Sequence, residues 1–258
     1  MKAGSSRERS SGRKNSGIDV PQFFIREGDL SGDTAFIRGD DCHHLVNVRR
    51  IRKGDMIKIR DAEGKGYIAR ISDINTTEIK LSVLEEYGPG PEPVEIYLYM
   101  CLIKGGNFDS MIQKAVEVGV ERITPVVSER TVPDPVKKGN EKHVRWNRIA
   151  LGAAKQCMRN TVPEIAFPLD FSEAITQTFT DIRIIAHPDA GTGLREYLSS
   201  RQKPDSVSIL VGPEGGFSER EILSASEMGW MPVNCGATHL RAETAAVILP
   251  SLVLYHWS

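Results

Sequence analysis

The chain has 258 residues, of which 40% are hydrophobic and 26% are charged, and its formal net charge is −1. These values are typical of a globular protein, so they exclude a largely disordered, collagen-like or coiled-coil chain. The sequence has no apolar run long enough to cross a bilayer, which argues against a membrane protein. The near-neutral charge argues against a protein that binds nucleic acid over its whole surface.

Residues 1–20 are rich in Ser, Arg and Lys and carry no apolar segment, so they do not resemble a signal peptide. We expect a disordered tail here, or a start assigned too early, with the fold beginning near Pro21. The sequence has no Cys-x-x-Cys pair, so we expect neither a zinc site nor another metal. Scattered cysteines are typical of the reducing cytoplasm, where we expect the protein. The four cysteines are Cys42, Cys101, Cys157 and Cys235.

Basic residues are concentrated in two regions of the sequence. Residues 1–60 carry an excess of five positive charges, whereas the remaining residues carry an excess of six negative charges. Residues 137–159 hold seven Lys or Arg against the single acidic residue Glu141. Local basic regions on a neutral protein can bind a polyanion, although such runs are also common on solvated surfaces. The two basic regions therefore indicate either contact with RNA or an ordinary solvated surface.

Residues 21–88 predict a small β-barrel or sandwich. Short β-branched and aromatic runs alternate there with Gly, Asp and Asn turns, and the only predicted helix covers residues 41–50. Residues 88–93 contain three prolines and two glycines, which predicts a domain linker.

Residues 94–258 alternate between predicted strands and helices, which indicates an α/β domain with an open, parallel sheet. We expect strands at 94–102, 123–127, 182–186, 207–211 and 232–235, and helices at 108–119, 141–158, 218–228 and 242–255. The last helix is apolar on all sides and contains Pro250, which predicts a kink or interruption and burial in the core or in a subunit interface. Ligands of such sheets bind at the carboxyl ends of the strands.

The clearest candidate site is a glycine-rich turn between a buried strand and a capped helix. Its sequence is Ile209-Leu210-Val211-Gly212-Pro213-Glu214-Gly215-Gly216-Phe217-Ser218. A tight turn alone does not need three glycines, a proline and a carboxylate, so we expect ligand contact. The turn lacks both the Walker lysine and the dinucleotide Gly-x-Gly-x-x-Gly spacing, and Glu214 suits a polyphosphate poorly. A ligand with hydroxyls, an amine and a cationic centre, such as S-adenosylmethionine, fits better.

Two further segments are weaker candidates. A second strand enters a Gly236-containing loop that opens the last helix, with Arg241, Glu243 and Thr244 at its start. The alternative for this segment is an ordinary capped helix with a surface ion pair. The third segment, Gln156-Cys157-Met158-Arg159-Asn160, ends a basic helix and suits contact with phosphates or base edges, or is simply a solvated helix end.

Together these segments resemble the SPOUT methyltransferase superfamily and, within it, the ribosomal small-subunit methyltransferase E family. The likeness spans roughly residues 21–257 and is carried by several motifs in order. They are Gln113-Lys114-Ala115-Val116-Glu117-Val118-Gly119-Val120, Ile123-Thr124-Pro125, Ser128-Glu129-Arg130, Gln156-Cys157-Met158-Arg159-Asn160, Val162-Pro163-Glu164-Ile165, Leu210-Val211-Gly212-Pro213-Glu214-Gly215-Gly216 and Leu240-Arg241-Ala242-Glu243-Thr244-Ala245. Asn107 stands where the family usually has a basic residue.

The resemblance implies a PUA-like β-barrel at residues 21–88 for RNA, and a SPOUT α/β domain at residues 94–258 with a deep trefoil knot. It further implies a homodimer that transfers a methyl group from S-adenosylmethionine to N3 of a uridine in 16S rRNA of the 30S subunit. A sister enzyme acting on a transfer RNA base or on ribose, a non-catalytic RNA-binding protein and a nucleotide hydrolase remain as alternatives.

The resemblance assigns the cofactor loops, and the chemistry of the reaction and the basic residues give candidates for catalysis and RNA binding. Arg241 is expected to stabilise the uracil anion, with Glu243 as proton acceptor. The expected cofactor-binding residues are His187, Leu210, Gly212, Pro213, Glu214, Gly215, Gly216, Cys235, Gly236, Leu240, Arg241, Ala242, Thr244 and Ala245. The expected RNA-binding residues are Arg49, Arg50, Arg52, Lys53, Lys104, Arg145, Arg148, Gln156, Arg159 and Asn160.

Overall fold

The protein contains two β-sheets, each formed by a separate part of the chain. The structure is a computed structural model and describes residues 22–87, 94–132 and 139–258. The first sheet is formed within residues 22–87, and the second within residues 95–233. The expected N-terminal tail and the proline-rich linker lie outside the described residues.

The N-terminal sheet has six strands in the order β1-β4-β5-β6-β3-β2, in which β1 pairs with β4 in parallel and the other pairs are antiparallel. Alternating side chains such as Ile57, Ile59 and Leu81 point to one face and are fully buried beneath Leu45 of α1. The elements are β1 (Gln22–Phe24), β2 (Leu30–Ser31), β3 (Thr34–Arg38), α1 (Asp40–Asn47), β4 (Met56–Arg60), β5 (Gly66–Ile74) and β6 (Glu78–Tyr87). Helix α1 ends three residues before the predicted end, and Arg50 beyond it has a φ of 50°.

The second sheet is parallel throughout, as predicted, in the order β10-β8-β7-β12-β11-β13, with β9 also paired to β8. Its strands are β7 (Glu95–Cys101), β8 (Arg122–Val127), β9 (Glu164–Ile165), β10 (Leu169–Asp170), β11 (Ile182–Ala186), β12 (Ser206–Val211) and β13 (Met231–Val233). The helices are α2 (Asn107–Val118), α3 (Gly139–Gln156), α4 (Phe171–Thr176), α5 (Leu194–Ser199), α6 (Glu219–Glu227) and α7 (Ala242–His256).

Helices cover both faces of the parallel sheet. On one face, Ile112 of α2 and Leu249 of α7 are fully buried in a cluster that also includes residues of α3 and α5. On the other face, Trp230 packs in a smaller cluster with residues of α4 and α6, and its indole N–H donates to the carbonyl of Ile175. Burial on both faces explains why the strand sequences are continuously apolar rather than alternating.

Two short helices, α4 and α5, were not predicted from the sequence. Each has only six residues, which is less than two turns and too short to show a helical repeat of apolar residues. The predicted interruption of the last helix at Pro250 is wrong, because α7 continues through this residue to His256. In the described part of the chain no helix is both long and apolar enough to cross a membrane.

Helix α7 is buried on one side only. Ala246, Leu249 and Val253 are fully buried against the sheet. In contrast, Ile248 and Leu252 are 39% and 42% exposed, and Tyr255 is 81% exposed. Burial in the core accounts for the apolar residues on one side of α7. The large apolar residues on its other side are exposed to solvent in the single chain.

Gly119 provides a test of how the C-terminus of α2 is formed. It adopts a left-handed conformation with a φ of +119°, and an added Cβ would lie 3.2 Å from Leu254 Cδ1. We expect Gly119→Ala to lower the free energy of unfolding by about 1–2 kcal/mol. Gly152→Ala is the matched control, because Gly152 lies within α3 with open space around it, and it should raise stability by about 0.5–1 kcal/mol. Urea unfolding measures both, and changes of the same sign would contradict this explanation.

Candidate active site

A cavity of about 600 Å³ lies at the carboxyl ends of β11, β12 and β13. This is the edge where a parallel sheet is expected to bind ligands. Three loops surround it, namely those that follow β11, β12 and β13. The lining residues are Asn107, Arg130, Ala186, His187, Pro188, Asp189, Val211, Gly212, Pro213, Glu214, Gly215, Gly216, Phe217, Val233, Asn234, Cys235, Gly236, Thr238, His239, Leu240, Arg241, Ala242, Glu243 and Ala245.

The loop after β12 is compact because its glycines allow close packing. The Gly216 N–H donates to the carbonyl of Pro213 at 2.9 Å, and Gly216 has a φ of +67°. The Phe217 ring lies against Gly212, where an added Cβ would be only 3.1 Å from Phe217 Cε2. Gly212 is therefore required for the close approach of this ring to the backbone.

The helix after this loop begins with the predicted capping box. Ser218 caps α6, and its N–H donates to Glu221 Oε2 at 2.8 Å while the Glu221 N–H approaches Ser218 Oγ at 3.4 Å. The second carboxylate oxygen of Glu221 accepts from the Glu129 N–H at 2.9 Å. One buried carboxylate thus joins the start of α6 to the loop that follows β8.

Loops from the neighbouring strands also hold the glycine loop. Arg130, after β8, donates through Nη1 to the carbonyl of Gly215 at 2.8 Å. The N–H of Lys104, after β7, donates to Glu214 Oε1 at 2.9 Å. The Glu214 carboxylate therefore links the glycine loop to the segment that follows β7.

Asn234 connects the loops after β11 and β13. Its backbone N–H donates to the carbonyl of Thr192 at 3.0 Å, and its carbonyl accepts from the Leu194 N–H at 2.9 Å. Its side-chain amide donates to the carbonyl of Ala190 at 2.7 Å, while its Oδ1 accepts from the Gly236 N–H at 3.2 Å. A single side chain with one donor and one acceptor group thereby fixes both walls of the cavity.

Arg241 lies at the start of α7, where it is the N-cap residue. Its carbonyl accepts from the N–H groups of Thr244 and Ala245 at 2.9 and 2.8 Å, so its backbone is fixed. Its exposed side chain lines the cavity, as does the half-buried Glu243. Because α7 begins here, its N-terminal dipole adds positive potential to that of the guanidinium.

The cavity combines charged groups with apolar surface. Burial raises the pKa of the Cys235 thiol, so this side chain stays neutral near pH 7 and behaves as a small apolar group. Among the described residues, no group of His, Cys, Asp and Glu is arranged to hold a metal ion.

Twelve of the fourteen expected cofactor residues line this cavity, but Leu210 and Thr244 do not. Leu210 is fully buried in the core beneath the sheet, because its side chain points away from the loop that follows it. Thr244 is exposed outside the lining. Arg130 and Asn107 also line the cavity, although neither was among the expected site residues. The available signals were the Ser128-Glu129-Arg130 motif and the family's usual basic residue at position 107.

Most of the expected RNA-binding residues are exposed, but Arg159 is not. Its side chain is 13% exposed and pairs with Glu121, and its Nη1 donates to the carbonyls of Val120 and Val116 at 2.5 and 3.3 Å. The expected phosphate contact of Arg159 is therefore corrected, since its guanidinium is used within the protein. Asn160 is half-buried beside it. The exposed residues are Arg49, Arg50, Arg52, Lys53, Lys104, Arg145, Arg148 and Gln156, of which Arg145 pairs with Asp109.

A family described as an RNA methyltransferase domain matches residues 90–254, and one described as an RNA methyltransferase PUA domain matches residues 37–84. The two matches fall on the two sheets. They define the class of this protein as RNA methyltransferases.

Individual relatives identify one family within the RNA methyltransferases. The ribosomal RNA small subunit methyltransferase E of Bacillus subtilis (strain 168) is 30% identical, with 86% of this chain and 90% of the relative aligned. The protein of the same name from Buchnera aphidicola subsp. Acyrthosiphon pisum is 29% identical over 89% and 90% of the two chains. A crystal structure of the Neisseria gonorrhoeae protein of that name, bound to S-adenosyl methionine, has a TM-score of 0.82 at 30% identity and covers 90% of this chain and 96% of its own. The chain belongs to the ribosomal RNA small subunit methyltransferase E family.

The packing of Phe217 on Gly212 generates a prediction for the cavity. In Gly212→Ala the new methyl group would displace the Phe217 ring and the loop around it, so we expect about tenfold weaker binding of S-adenosylmethionine. Gly191→Ala is the control, because a Cβ at Gly191 meets open space. Isothermal titration calorimetry measures both affinities. Unchanged affinity in Gly212→Ala would show that this loop does not shape the cofactor site.

Proposed function

We propose that this protein transfers a methyl group from S-adenosylmethionine to N3 of a uridine in 16S rRNA of the small ribosomal subunit. The observation that carries the proposal is the cavity formed by the two glycine-bearing loops at the carboxyl ends of β12 and β13. Family membership supplies the reaction class, and the names of the relatives supply the substrate.

The chemistry of the cavity fits the proposed methyl donor. Its volume of about 600 Å³ is suited to a small ligand, since such sites measure roughly 300–1,000 Å³. Backbone groups around Gly216 and Gly236 are accessible because a Cβ at either position would meet open space, and they suit ribose hydroxyls and the amino acid part of the donor. Leu240, Ala242 and neutral Cys235 provide apolar surface for the adenine. The donor supplies a methyl group already activated on a sulfonium.

The protein's own task is to position the base and to remove a proton. Uracil N3 carries a hydrogen, so it becomes nucleophilic only as this proton leaves. Arg241 is placed to stabilise the negative charge that then develops on the uracil oxygens, and the N-terminus of α7 contributes in the same direction. Glu243, in the first turn of α7 and on the cavity wall, is the proposed proton acceptor. The base must leave its stack to enter the cavity.

The proposed RNA surface consists of the exposed basic residues. Arg49, Arg50 and Arg52 follow α1 in the N-terminal domain, and Arg145 and Arg148 lie on α3. Lys104, at the start of the loop that holds Glu214, connects this surface to the cavity. Guanidinium groups suit phosphate contacts, and the resulting affinity should fall with salt.

A homodimer is proposed because α7 leaves a stripe of large apolar residues uncovered. Ile248, Leu252 and Tyr255 are spaced by four and three residues, so they share one side of the helix. We expect multi-angle light scattering to give twice the chain mass of 28.6 kDa, and Leu252→Lys to give the monomer mass. Lys114→Asp on α2 is a control with a comparable change of an exposed side chain.

Two further features remain proposals. A trefoil knot is proposed from the resemblance to the SPOUT superfamily, and the loops after β11 and β13 are in contact through Asn234. The cytoplasm is the proposed location, because the substrate is ribosomal.

The function is tested by methylation of 16S rRNA and 30S subunits with labelled S-adenosylmethionine, followed by mass mapping of the modified nucleotide. Label at uracil N3 in 16S rRNA is expected. Label on transfer RNA instead, or on a ribose, would support a sister activity, and binding of the cofactor without any transfer would support a non-catalytic RNA-binding protein. ATP binding at this site would support the hydrolase alternative.

The same assay tests Arg241. We expect Arg241→Ala to lower kcat by about 100-fold, because one electrostatic donor to the developing anion is lost. The affinity for S-adenosylmethionine should change much less, and Arg241→Lys should recover part of the rate. Equal losses in rate and in cofactor affinity would instead assign Arg241 to cofactor binding.

A further inference from the structure

The end of α3 and the corner after it form a contact with the N-terminal domain. This contact, which we call the domain junction, comprises residues 155–161 on one side and β1, α1 and Gly64 on the other. Sequence reasoning placed part of this segment on the RNA. In the structure the side chains of Lys155, Arg159 and Thr161 are paired within the protein instead.

An ion pair holds one side of the domain junction. Lys155 Nζ lies 2.6 and 2.8 Å from the two carboxylate oxygens of Asp41, at the start of α1. The two side chains are only 20% and 28% exposed, and Lys155 Nζ is 5.9 Å from the ring centroid of Phe23 in β1. Fully exposed ion pairs contribute little, but this one is partly shielded and has defined geometry.

Strand β1 holds the centre of the junction. Gln22 is 3% exposed and donates through Nε2 to the carbonyl of Arg159 at 2.5 Å, while its Oε1 accepts from Arg60 Nε at 3.3 Å. Phe24, two residues on, packs against the core of the catalytic domain. A buried amide that is satisfied from both domains fixes their relative position, because movement would leave its polar atoms unpaired.

Gly64 allows its loop to pack closely against residues 160–161. It has a φ of +79°, and an added Cβ would lie 3.1 Å from Thr161 Cγ2 and 3.3 Å from the carbonyl oxygen of Asn160. The loop that contains Gly64 is itself held, because Arg60 Nη1 donates to the Gly64 carbonyl at 2.7 Å.

Arg159 extends the junction to the cavity. Its guanidinium binds the carbonyls of Val116 and Val120 at the C-terminal end of α2. The other end of α2 begins at Asn107, which lines the cavity. Helix α2 therefore lies between the domain junction and the cavity. It is anchored at the junction by Arg159, whose carbonyl accepts the hydrogen bond from Gln22.

We propose that the domain junction fixes the N-terminal domain relative to the cavity, so that RNA held by that domain is presented to the site of methyl transfer. Lys155 and Asp41 are positioning residues in this proposal, which rests on the proposed function. Neither side chain lines the cavity, so they act on the reaction only through the placement of the RNA.

Charge reversal of the ion pair tests the proposal. Asp41→Lys, Lys155→Asp and the double exchange are compared in the full-length protein for KM with 30S subunits, kcat, and affinity for S-adenosylmethionine. Each single variant should raise KM about tenfold with cofactor affinity unchanged, and the double exchange should restore most of the loss because the pair is rebuilt in reverse. Lys114→Asp, which makes the same charge change as Lys155→Asp at an exposed position of α2, is the control and should keep KM close to that of the wild type.

Asp41→Lys separates positioning from simple charge attraction. This variant adds positive charge, so it would lower KM if the local charge alone attracted the RNA. A lower or unchanged KM in Asp41→Lys overturns the proposal, as does failure of the double exchange to recover. A parallel loss of cofactor affinity in the single variants would also overturn it, because the catalytic domain itself would then be damaged.

Small-angle X-ray scattering without RNA gives a readout that does not depend on activity. Each single variant should broaden the distribution of interatomic distances, and the double exchange should return it to that of the wild type. If the wild type methylates no ribosomal RNA while scattering still shows this pattern, the proposed function fails and the junction stands. If all variants scatter identically, the domain junction does not fix the two domains, and the proposal is overturned.

Discussion

The carboxyl ends of parallel strands lie at one edge of a sheet, and this constraint determines the rest of the structure. Because β12 and β13 both pair with β11 in the same direction, the loops that follow them emerge at the same edge of the sheet and line one cavity. Each loop alone is a glycine turn. Together with the loop after β11, which the amide of Asn234 joins to the loop after β13, they enclose a cavity. Proximity is thus supplied by sheet topology, and the local sequence only has to provide small residues and a few polar groups at fixed places.

The features that could be predicted from sequence depend on neighbours along the chain. The capping box of Ser218 and Glu221, the helix end at Gly119 and the apolar strands of the sheet all follow from residues within a few positions of each other. The order of strand, loop and helix along the chain also predicted the edge of the sheet at which the cavity lies and most of the residues that line it. Such features are the part of the fold and site that a single sequence specifies directly.

The features that were missed depend on residues far apart. Arg159 looks like a surface cation in the sequence, and only the fold brings Glu121 and the carbonyls of α2 to it. Arg130 reaches the Gly215 carbonyl across 85 positions. Side-chain partners at such separations leave no periodic signal in the sequence. Arg159 was therefore assigned to RNA contact because it lies in a basic region of the chain. The same limit applies to the six-residue helices, whose stability comes from packing rather than from their own pattern.

The contact between Gln22 and Arg159 joins residues 137 positions apart, and this separation has a consequence for synthesis. Strand β1 lies at the edge of its sheet, and α3 packs against this strand. During translation the N-terminal sheet emerges well before α3, so its edge stays open to other chains until the second half follows. Fragments that stop before α3 would keep this edge uncovered and would be prone to aggregate. The catalytic half therefore protects the first half from misassembly as well as completing the enzyme.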